Sequence, residues 1–177
     1  MSWYGAEPSG GCIDNSSALT VMSVPTGTVA FKKQFIITSS TKYTNSEQWY
    51  SDATCSTITG YFNIAYSGVE FDNSVHTSLT AGSSPTKPTS AVKMKYAEES
   101  YAMMGNTDGA IAKIALLGIT VESGVEKIIE ESDPTTYYTI MNTATQSGSD
   151  SSYLFVGSPS TSAYPSDWSS NDTVYWK

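Results

Sequence analysis

Apolar side chains recur at every second position in several short runs of this chain, and turn-forming residues separate the runs. In residues 28–38, Val29, Phe31, Phe35 and Ile37 occupy alternate positions, and Lys33 interrupts their apolar face. A period of two is typical of β-strands, because successive side chains of a strand point to opposite faces of the sheet. The pattern predicts a mostly β protein.

The predicted strands are short and follow one another closely. Residues 1–18 are expected to form a short strand or anchor followed by an irregular loop, and a turn at residues 72–73 is expected to end the longest strand. Residues 81–90 are rich in Thr and Pro and predict a loop. The remaining predicted strands are residues 28–38, 42–50, 57–71, 75–79, 125–129, 137–141, 153–156 and 173–176.

Two segments, residues 94–104 and 108–117, carry the residues that favour helices. In the second, Asp108 is placed to act as the N-cap and Gly118 follows the expected end. We therefore predict one short helix in this region of the chain.

Eight or nine short strands with one helix fit an antiparallel up-and-down β-barrel. A β-sandwich is the alternative, because both architectures consist of short strands at regular spacing. A chain of 177 residues is the usual size of one domain, so we expect a single domain over residues 1–177.

Cys12 and Cys55 are the two cysteines of the chain, which permits one intramolecular pairing. In a Ser/Thr-rich chain with few lysines, we expect them to form a disulfide, the kind of bridge that persists in oxidising compartments. The alternative is a pair of buried thiols. The prediction is a periplasmic, outer-membrane-anchored or extracellular protein, in which Met1 stands where a signal peptide has been removed.

The charge of the chain disfavours several classes of partner. The formal net charge is -8 and the sequence contains no arginine, so a basic footprint for nucleic acid is missing. An acidic surface is also repelled by anionic lipid headgroups. No run approaches the roughly 20 apolar residues of a membrane span, so no transmembrane segment is expected.

Several short motifs of this chain resemble those of one group of proteins. The motifs are Trp3 with Cys12, Tyr50-Ser51-Asp52-x-x-Cys55, Gly60-Tyr61-Phe62-Asn63-Ile64, Tyr153-Leu154-Phe155-Val156-Gly157, Tyr164-Pro165 and Thr173-Val174-Tyr175-Trp176-Lys177. They resemble the motifs of small bacterial lipoproteins and secreted domains that are similar to the calycins, the superfamily of lipocalins, fatty-acid-binding proteins and avidins.

The resemblance implies a calycin-like up-and-down β-barrel of about eight strands. Lipocalins usually place an arginine near the final strand, where this chain has none. The family implied is therefore calycin-like rather than lipocalin in the strict sense.

Candidate catalytic and metal-binding residues are few. His76 is the one histidine of the chain. A zinc site with two or more histidines is therefore excluded, and a Ser-His-acid triad would have to include His76. The acids of residues 98–99 and 126–133 form charge runs that are typical of solvated surface. The sequence predicts no catalytic residue, no metal site and no cofactor.

Aromatic and methionine side chains are the candidate ligand-binding residues. They are Trp49, Tyr50, Tyr61, Tyr66, Tyr96, Tyr101, Met103 and Met104. Such side chains suit the wall of a cavity for a small hydrophobic ligand. The same residues also suit a solid core, because small barrels are often filled by their own side chains.

Three functions remain open at this point. The first is non-catalytic binding of a small hydrophobic ligand inside the barrel. The second is a structural or surface-interaction domain that acts through its loops, chiefly residues 81–90 and 157–170. The third is an enzyme whose acids or tyrosines meet at the mouth of the barrel, as in calycin-like isomerases and cyclases. The ligand and the oligomeric state are left open.

Overall fold

The structure is a computed structural model that describes residues 2–5, 11–14, 19–20, 23–77, 79, 87–145, 152–169 and 173–176. The strands are β1 (Ser2–Gly5), β2 (Ala30–Ile37), β3 (Tyr43–Tyr50), β4 (Ile58–Thr77), β5 (Ser90–Gly105), β6 (Lys127–Glu130), β7 (Thr136–Thr145), β8 (Ser152–Val156) and β9 (Thr173–Trp176). Helix α1 (Asp108–Ala115) lies between β5 and β6. The prediction of a mostly β protein with a short helix after residue 107 is confirmed.

The nine strands form one sheet in the order β4-β3-β2-β1-β9-β8-β7-β5-β6, and an additional pairing joins β4 to β5. Every strand pairing is antiparallel. From β1 to β5, each strand pairs with the next one along the chain, which is a meander.

Residues 94–104 form part of β5, so the prediction of helical material there is wrong. Ala, Glu and Met favour helices in isolation, but here both edges of the segment are paired. One edge pairs with β4, and the other pairs with β7 and then β6. Met94 and Tyr96 are buried two positions apart, which is the spacing of a strand. Tertiary pairing therefore overrides the local preference.

The predicted turn at residues 72–73 is also wrong, because β4 continues to Thr77. Asp72 Oδ1 accepts a hydrogen bond from the Ser74 backbone N at 2.9 Å, as it would in a turn. The strand absorbs this local bend as an irregularity in its pairing with β5 between Asp72 and Val75. Residues 81–86 of the predicted loop lie outside the described residues.

The N-cap of helix α1 lies one residue before the predicted one. Thr107, rather than Asp108, is the N-cap, and its side chain accepts a hydrogen bond from the Ala110 backbone N at 3.3 Å. The helix packs closely on β4: a Cβ at Gly60 would lie 3.0 Å from Ala110 Cβ and 3.1 Å from the Trp49 ring. A glycine at position 60 therefore allows α1 to cover this part of the sheet.

The Cys12–Cys55 disulfide is present, with 5.9 Å between the Cα atoms, which confirms the predicted pairing. Next to the bridge, Asp52 organises the turn between β3 and β4. Its carboxylate accepts backbone hydrogen bonds from Ser56 at 3.1 Å and Thr57 at 2.7 Å. Hydrogen bonds from Thr54 and from these two residues hold the pKa of Asp52 well below its usual range.

The core contains two large apolar clusters. We name the first the tyrosine cluster; it consists of Phe35, Tyr43, Tyr66, Val69, Met94, Tyr96, Leu154 and Tyr175. We name the second the helix cluster; it consists of Ile13, Phe31, Trp49, Met103, Ala110, Ile114 and Val121. In the described part of the chain, no helix is long and apolar enough to cross a bilayer.

Candidate functional site

A polar pair lies between the two apolar clusters. Lys33 on β2 is paired with Glu47 on β3, and the flanking pairs are Phe31 with Trp49 and Phe35 with Asn45. Directly opposed residues of an antiparallel pair point to the same face, and residues two apart share that face. Phe31 and Trp49 belong to the helix cluster, and Phe35 belongs to the tyrosine cluster. Lys33 and Glu47 therefore lie on the core-facing side, between the clusters.

A pocket of about 270 Å³ lies at this pair. It is lined by Lys33, Asn45, Ser46, Glu47, Phe62 and Ile64, and we name it the central pocket. Phe62 also packs against the helix cluster, and Ile64 packs against the tyrosine cluster. The central pocket therefore lies between the two apolar clusters, and its lining combines two apolar side chains with four polar ones.

Lys33 is half-buried, and its surroundings change the pKa of its ammonium group. Burial lowers the pKa of Lys33 because it removes water from the ammonium group, and the negative charge of Glu47 opposes this shift. Within the described residues, no hydrogen bond or ion pair joins Lys33 to another side chain. The Lys33 ammonium in this pocket is therefore partly desolvated, and none of its N–H donors is bound by a described side chain.

Two of the other polar side chains, Glu47 and Asn45, form hydrogen bonds with aromatic residues. The Trp49 indole Nε1 donates a hydrogen bond to Glu47 Oε1 at 2.7 Å. The Tyr175 hydroxyl donates to Asn45 Oδ1 at 3.4 Å. Burial raises the pKa of Tyr66, and a hydrogen bond with Asn45 acts in the opposite direction. Glu47 and Asn45 are thus fixed in place, whereas Lys33 is not.

Tyrosine rings form a packed layer on one side of the central pocket. The rings of Tyr43 and Tyr66 are stacked at 4.5 Å, and Tyr96 meets both rings edge-on, at 5.3 and 5.0 Å. Edge-to-face and offset-stacked contacts are the favoured geometries of aromatic pairs. Burial raises the pKa of Tyr96 to about 12 and raises that of Tyr43 further. The tyrosine layer is therefore closely packed and uncharged at neutral pH.

A second pocket adjoins the central pocket beside α1. It has a volume of about 120 Å³ and is lined by Glu47, Trp49, Phe62, Lys113, Ile114 and Leu117; we name it the side pocket. Glu47 and Phe62 line both pockets. Leu117, just beyond the end of α1, is 55% exposed, so the side pocket reaches the surface at this point.

A third pocket, the end pocket, lies on the far side of the tyrosine layer. Its volume is about 140 Å³, and its lining is Phe35, Ile37, Ser39, Ser40, Lys42, Tyr43, Val69, Phe71, Met94 and Met141. Phe71 is 51% exposed at its rim. This pocket is almost wholly apolar, whereas the central pocket combines apolar walls with charged groups.

The sequence-predicted ligand residues are divided among several places. Trp49 and Met103 are buried in the helix cluster, and half-buried Tyr101 packs against that cluster. Tyr66 and Tyr96 are buried in the tyrosine cluster. Of the predicted residues, Trp49 lines the side pocket directly.

The other predicted residues lie away from the central pocket. Tyr61 and Met104 are cross-strand partners, and each neighbours a residue of the core-facing side, Phe62 or Met103, so both point to the opposite face. Tyr50 is buried in a smaller cluster with Ala30 and Cys55.

Acids and tyrosines meet at two further positions. The Tyr101 hydroxyl donates to Glu98 Oε2 at 2.6 Å, and the Tyr61 hydroxyl donates to Glu126. Desolvation and the hydrogen bond with Glu126 raise the pKa of Tyr61 to about 12. Desolvation and the hydrogen bond with Glu98 likewise raise the pKa of Tyr101.

His76 lies on β4 opposite Ala91, and its side chain is outside the described part of the structure. Among the described side chains, no group of three or more His, Cys, Asp or Glu residues is arranged to hold a metal ion.

The residues that line the central pocket were not among the sequence-predicted ligand residues. Lys33 did carry a signal, because it is the one charged residue on the apolar face of its strand. Glu47 and Asn45 carried none, since their side of β3 is fixed only by the pairing with β2.

The chain was also compared with known proteins. No family model matches it, and no curated protein matches it.

Proposed function

We propose that this protein binds a small, largely hydrophobic molecule inside a calycin-like β-barrel and performs no chemistry on it. The observation that carries the proposal is the central pocket, which lies on the core-facing side between two apolar layers. Ligand sites are typically concave and mostly apolar, with a few polar groups that orient the bound molecule.

The strand pairing supports the barrel. Hydrogen-bonded neighbours can be followed from β1 through β2, β3, β4, β5, β7, β8 and β9 back to β1. Such a path has eight strands and leaves out β6, a short strand that, among the described strands, pairs with β5. An interior of eight strands is just wide enough to be filled by side chains or to hold one small ligand.

The size of the central pocket favours a hollow interior over a solid core. Its volume of about 270 Å³ gives room for several water molecules. A close-packed core has few voids larger than one water. The adjoining side pocket adds a mostly apolar extension toward α1, where Trp49, Ile114 and Leu117 are joined by Lys113.

The disulfide supports an exported protein, because such bridges form and persist in oxidising compartments. We propose that the protein works in the periplasm, on the outer membrane or outside the cell. The bridge also holds the segment that contains Ile13 against β2. Ile13 and Phe31 of β2 exchange two backbone hydrogen bonds of 2.9 Å.

The test is a titration with a neutral apolar fluorophore, N-phenyl-1-naphthylamine, whose emission rises when it leaves water. Wild-type protein is expected to bind it saturably at one site. Ile64→Trp adds bulk to the wall of the central pocket and is expected to weaken binding at least tenfold. Ala65→Trp is the matched control, since residue 65 points to the opposite face of β4.

Circular dichroism would confirm that both variants keep the β fold. Equal binding by wild type and Ile64→Trp would remove the central pocket as the site. If none of the proteins binds the fluorophore, the proposal fails and the surface loops become the stronger candidate.

A further inference from the structure

Lys33 presents a charged group where the sheet otherwise buries apolar residues. Its neighbours on the same face of β2 are Phe31 and Phe35, which are 2% and 3% exposed. A cation in such surroundings costs free energy unless an anion or hydrogen-bond acceptor compensates it. An ammonium has three donors, and none is used by another described side chain.

Glu47 compensates Lys33 only in part. The two residues are directly opposed, and the charge of Glu47 acts on Lys33, but they do not form an ion pair. One oxygen of Glu47 instead accepts the hydrogen bond from Trp49 at 2.7 Å. The ammonium group therefore remains able to bind an acidic group that enters the pocket.

The two adjoining pockets also differ in polarity along their length. The Lys33 end is polar, and Phe62 continues as a wall from the central pocket into the side pocket. There the lining is mostly apolar, with Trp49, Ile114 and Leu117, although Glu47 and Lys113 also contribute to it. The space suits a molecule that is charged at one end and apolar at the other.

We propose that the bound molecule carries a single acidic group, such as a carboxylate, which pairs with Lys33 in the central pocket while an apolar tail follows Phe62 toward α1. This inference rests on the proposed function and specifies the chemical class of its ligand. A charge-assisted hydrogen bond between an ammonium and a carboxylate is about twice as strong as a neutral one, so it discriminates between ligands of equal size.

The test compares three probes with the same eight-carbon tail: octanoate, 1-octanol and octylamine. Each competes with N-phenyl-1-naphthylamine for the folded, full-length protein. The expected result is that octanoate binds about tenfold more tightly than 1-octanol, and that octylamine binds more weakly than both.

Lys33→Met removes the charge and keeps a side chain of similar length. It is expected to lose about tenfold in octanoate affinity and to keep its affinity for 1-octanol. Lys32→Met is the matched control, because Lys32 points to the opposite face and lies over the Tyr50 ring at 5.5 Å. The control is expected to leave all three affinities unchanged.

Glu47→Gln gives a second readout that does not depend on how well the Lys33 variant folds. Glutamine can still accept the Trp49 hydrogen bond but no longer repels an anion. Its expected effect is tighter octanoate binding with unchanged 1-octanol binding. An unchanged octanoate affinity in this variant would count against an acidic group near Lys33.

The outcomes separate this inference from the proposed function. If 1-octanol binds but octanoate binds no better, or if Lys33→Met keeps the octanoate preference, the acidic ligand is excluded and the apolar pocket stands. If neither N-phenyl-1-naphthylamine nor any of the three eight-carbon compounds binds, both proposals fall.

Discussion

Lys33 and Glu47 face each other directly across β2 and β3, on the side of the sheet that carries the buried rings of Phe31 and Phe35. Charged groups on a core-facing side reduce stability unless they are well paired, and proteins keep them there when they serve a site. In the proposed function, this pair supplies the charged groups of the binding pocket.

The first prediction concerns the stability cost of Lys33. The pKa of Lys33 is lower in the folded state than in the unfolded state, so the native state binds the proton less well. The free energy of unfolding therefore rises with pH between the folded-state pKa and the unfolded-state pKa. At pH 7, where the ammonium is charged in the unfolded chain, Lys33→Met should leave the free energy of unfolding unchanged or raise it by up to about 1 kcal/mol. Urea denaturation measures this, with Lys32→Met as the control. A loss of more than about 1 kcal/mol would show that Lys33 stabilises the fold.

The second prediction concerns the tyrosine cluster at alkaline pH. Burial raises the pKa of Tyr66, Tyr96 and Tyr175 above the unfolded value of about 10, so their contribution to stability is complete below pH 10. As pH rises above 10, the unfolded chain loses protons first, and each such tyrosine lowers stability by about 1.4 kcal/mol per pH unit.

Absorbance at 295 nm, which reports tyrosinate, measures that effect. Part of the signal from the twelve tyrosines should appear near pH 10, and the remainder only as the protein unfolds. Tyr96→Phe should reduce the late phase alone. Complete titration near pH 10 with an intact circular dichroism spectrum would contradict the buried layer.

The third prediction concerns the disulfide. Cys12 and Cys55 are 43 residues apart, so replacing both by Ala should lower the free energy of unfolding by roughly 3 to 4 kcal/mol, mainly because the unfolded chain gains freedom. Urea denaturation without reductant gives the difference. Wild type with reductant should match the double variant. A difference below about 1 kcal/mol would mean that the bridge adds little to the fold.

The fourth prediction separates the observed helix cap from the expected one. Thr107→Ala removes the hydrogen bond to the Ala110 backbone N and should cost about 1 kcal/mol. Thr107→Ser keeps the acceptor and should cost much less. Asp108→Ala removes only a favourable charge in the first turn, worth about 0.3 to 1 kcal/mol. If the Asp108 variant is the less stable in thermal denaturation, the assignment of the cap is wrong.

Strands rich in β-branched and aromatic residues between turn-forming segments could be predicted from the sequence, because these preferences are local. Residues 153–156 and 173–176 match β8 and β9 closely. Strand β5 could not be predicted from the sequence, because its Ala, Glu and Met residues favour helices. Only its pairing on both edges makes it a strand. Local pattern predicts an element well when no distant partner competes with it.

The candidate site could be predicted only in part. Lys33 is visible as an interruption of an apolar face, but its opposition to Glu47 depends on the register of β2 and β3. That register follows from the turn between the strands. Whether tyrosines and methionines fill a core or line a cavity depends on packing volume, which no sequence pattern contains.

The most direct test of ligand binding is native mass spectrometry of the protein as purified, without organic solvent or reductant, beside the denatured spectrum of the same sample. The account predicts a native species that is heavier than the chain and releases one small acidic molecule on denaturation, together with a denatured mass that lacks the two hydrogens lost in the disulfide. A native mass equal to that of the bare chain, with no gain after incubation with octanoate, would contradict it.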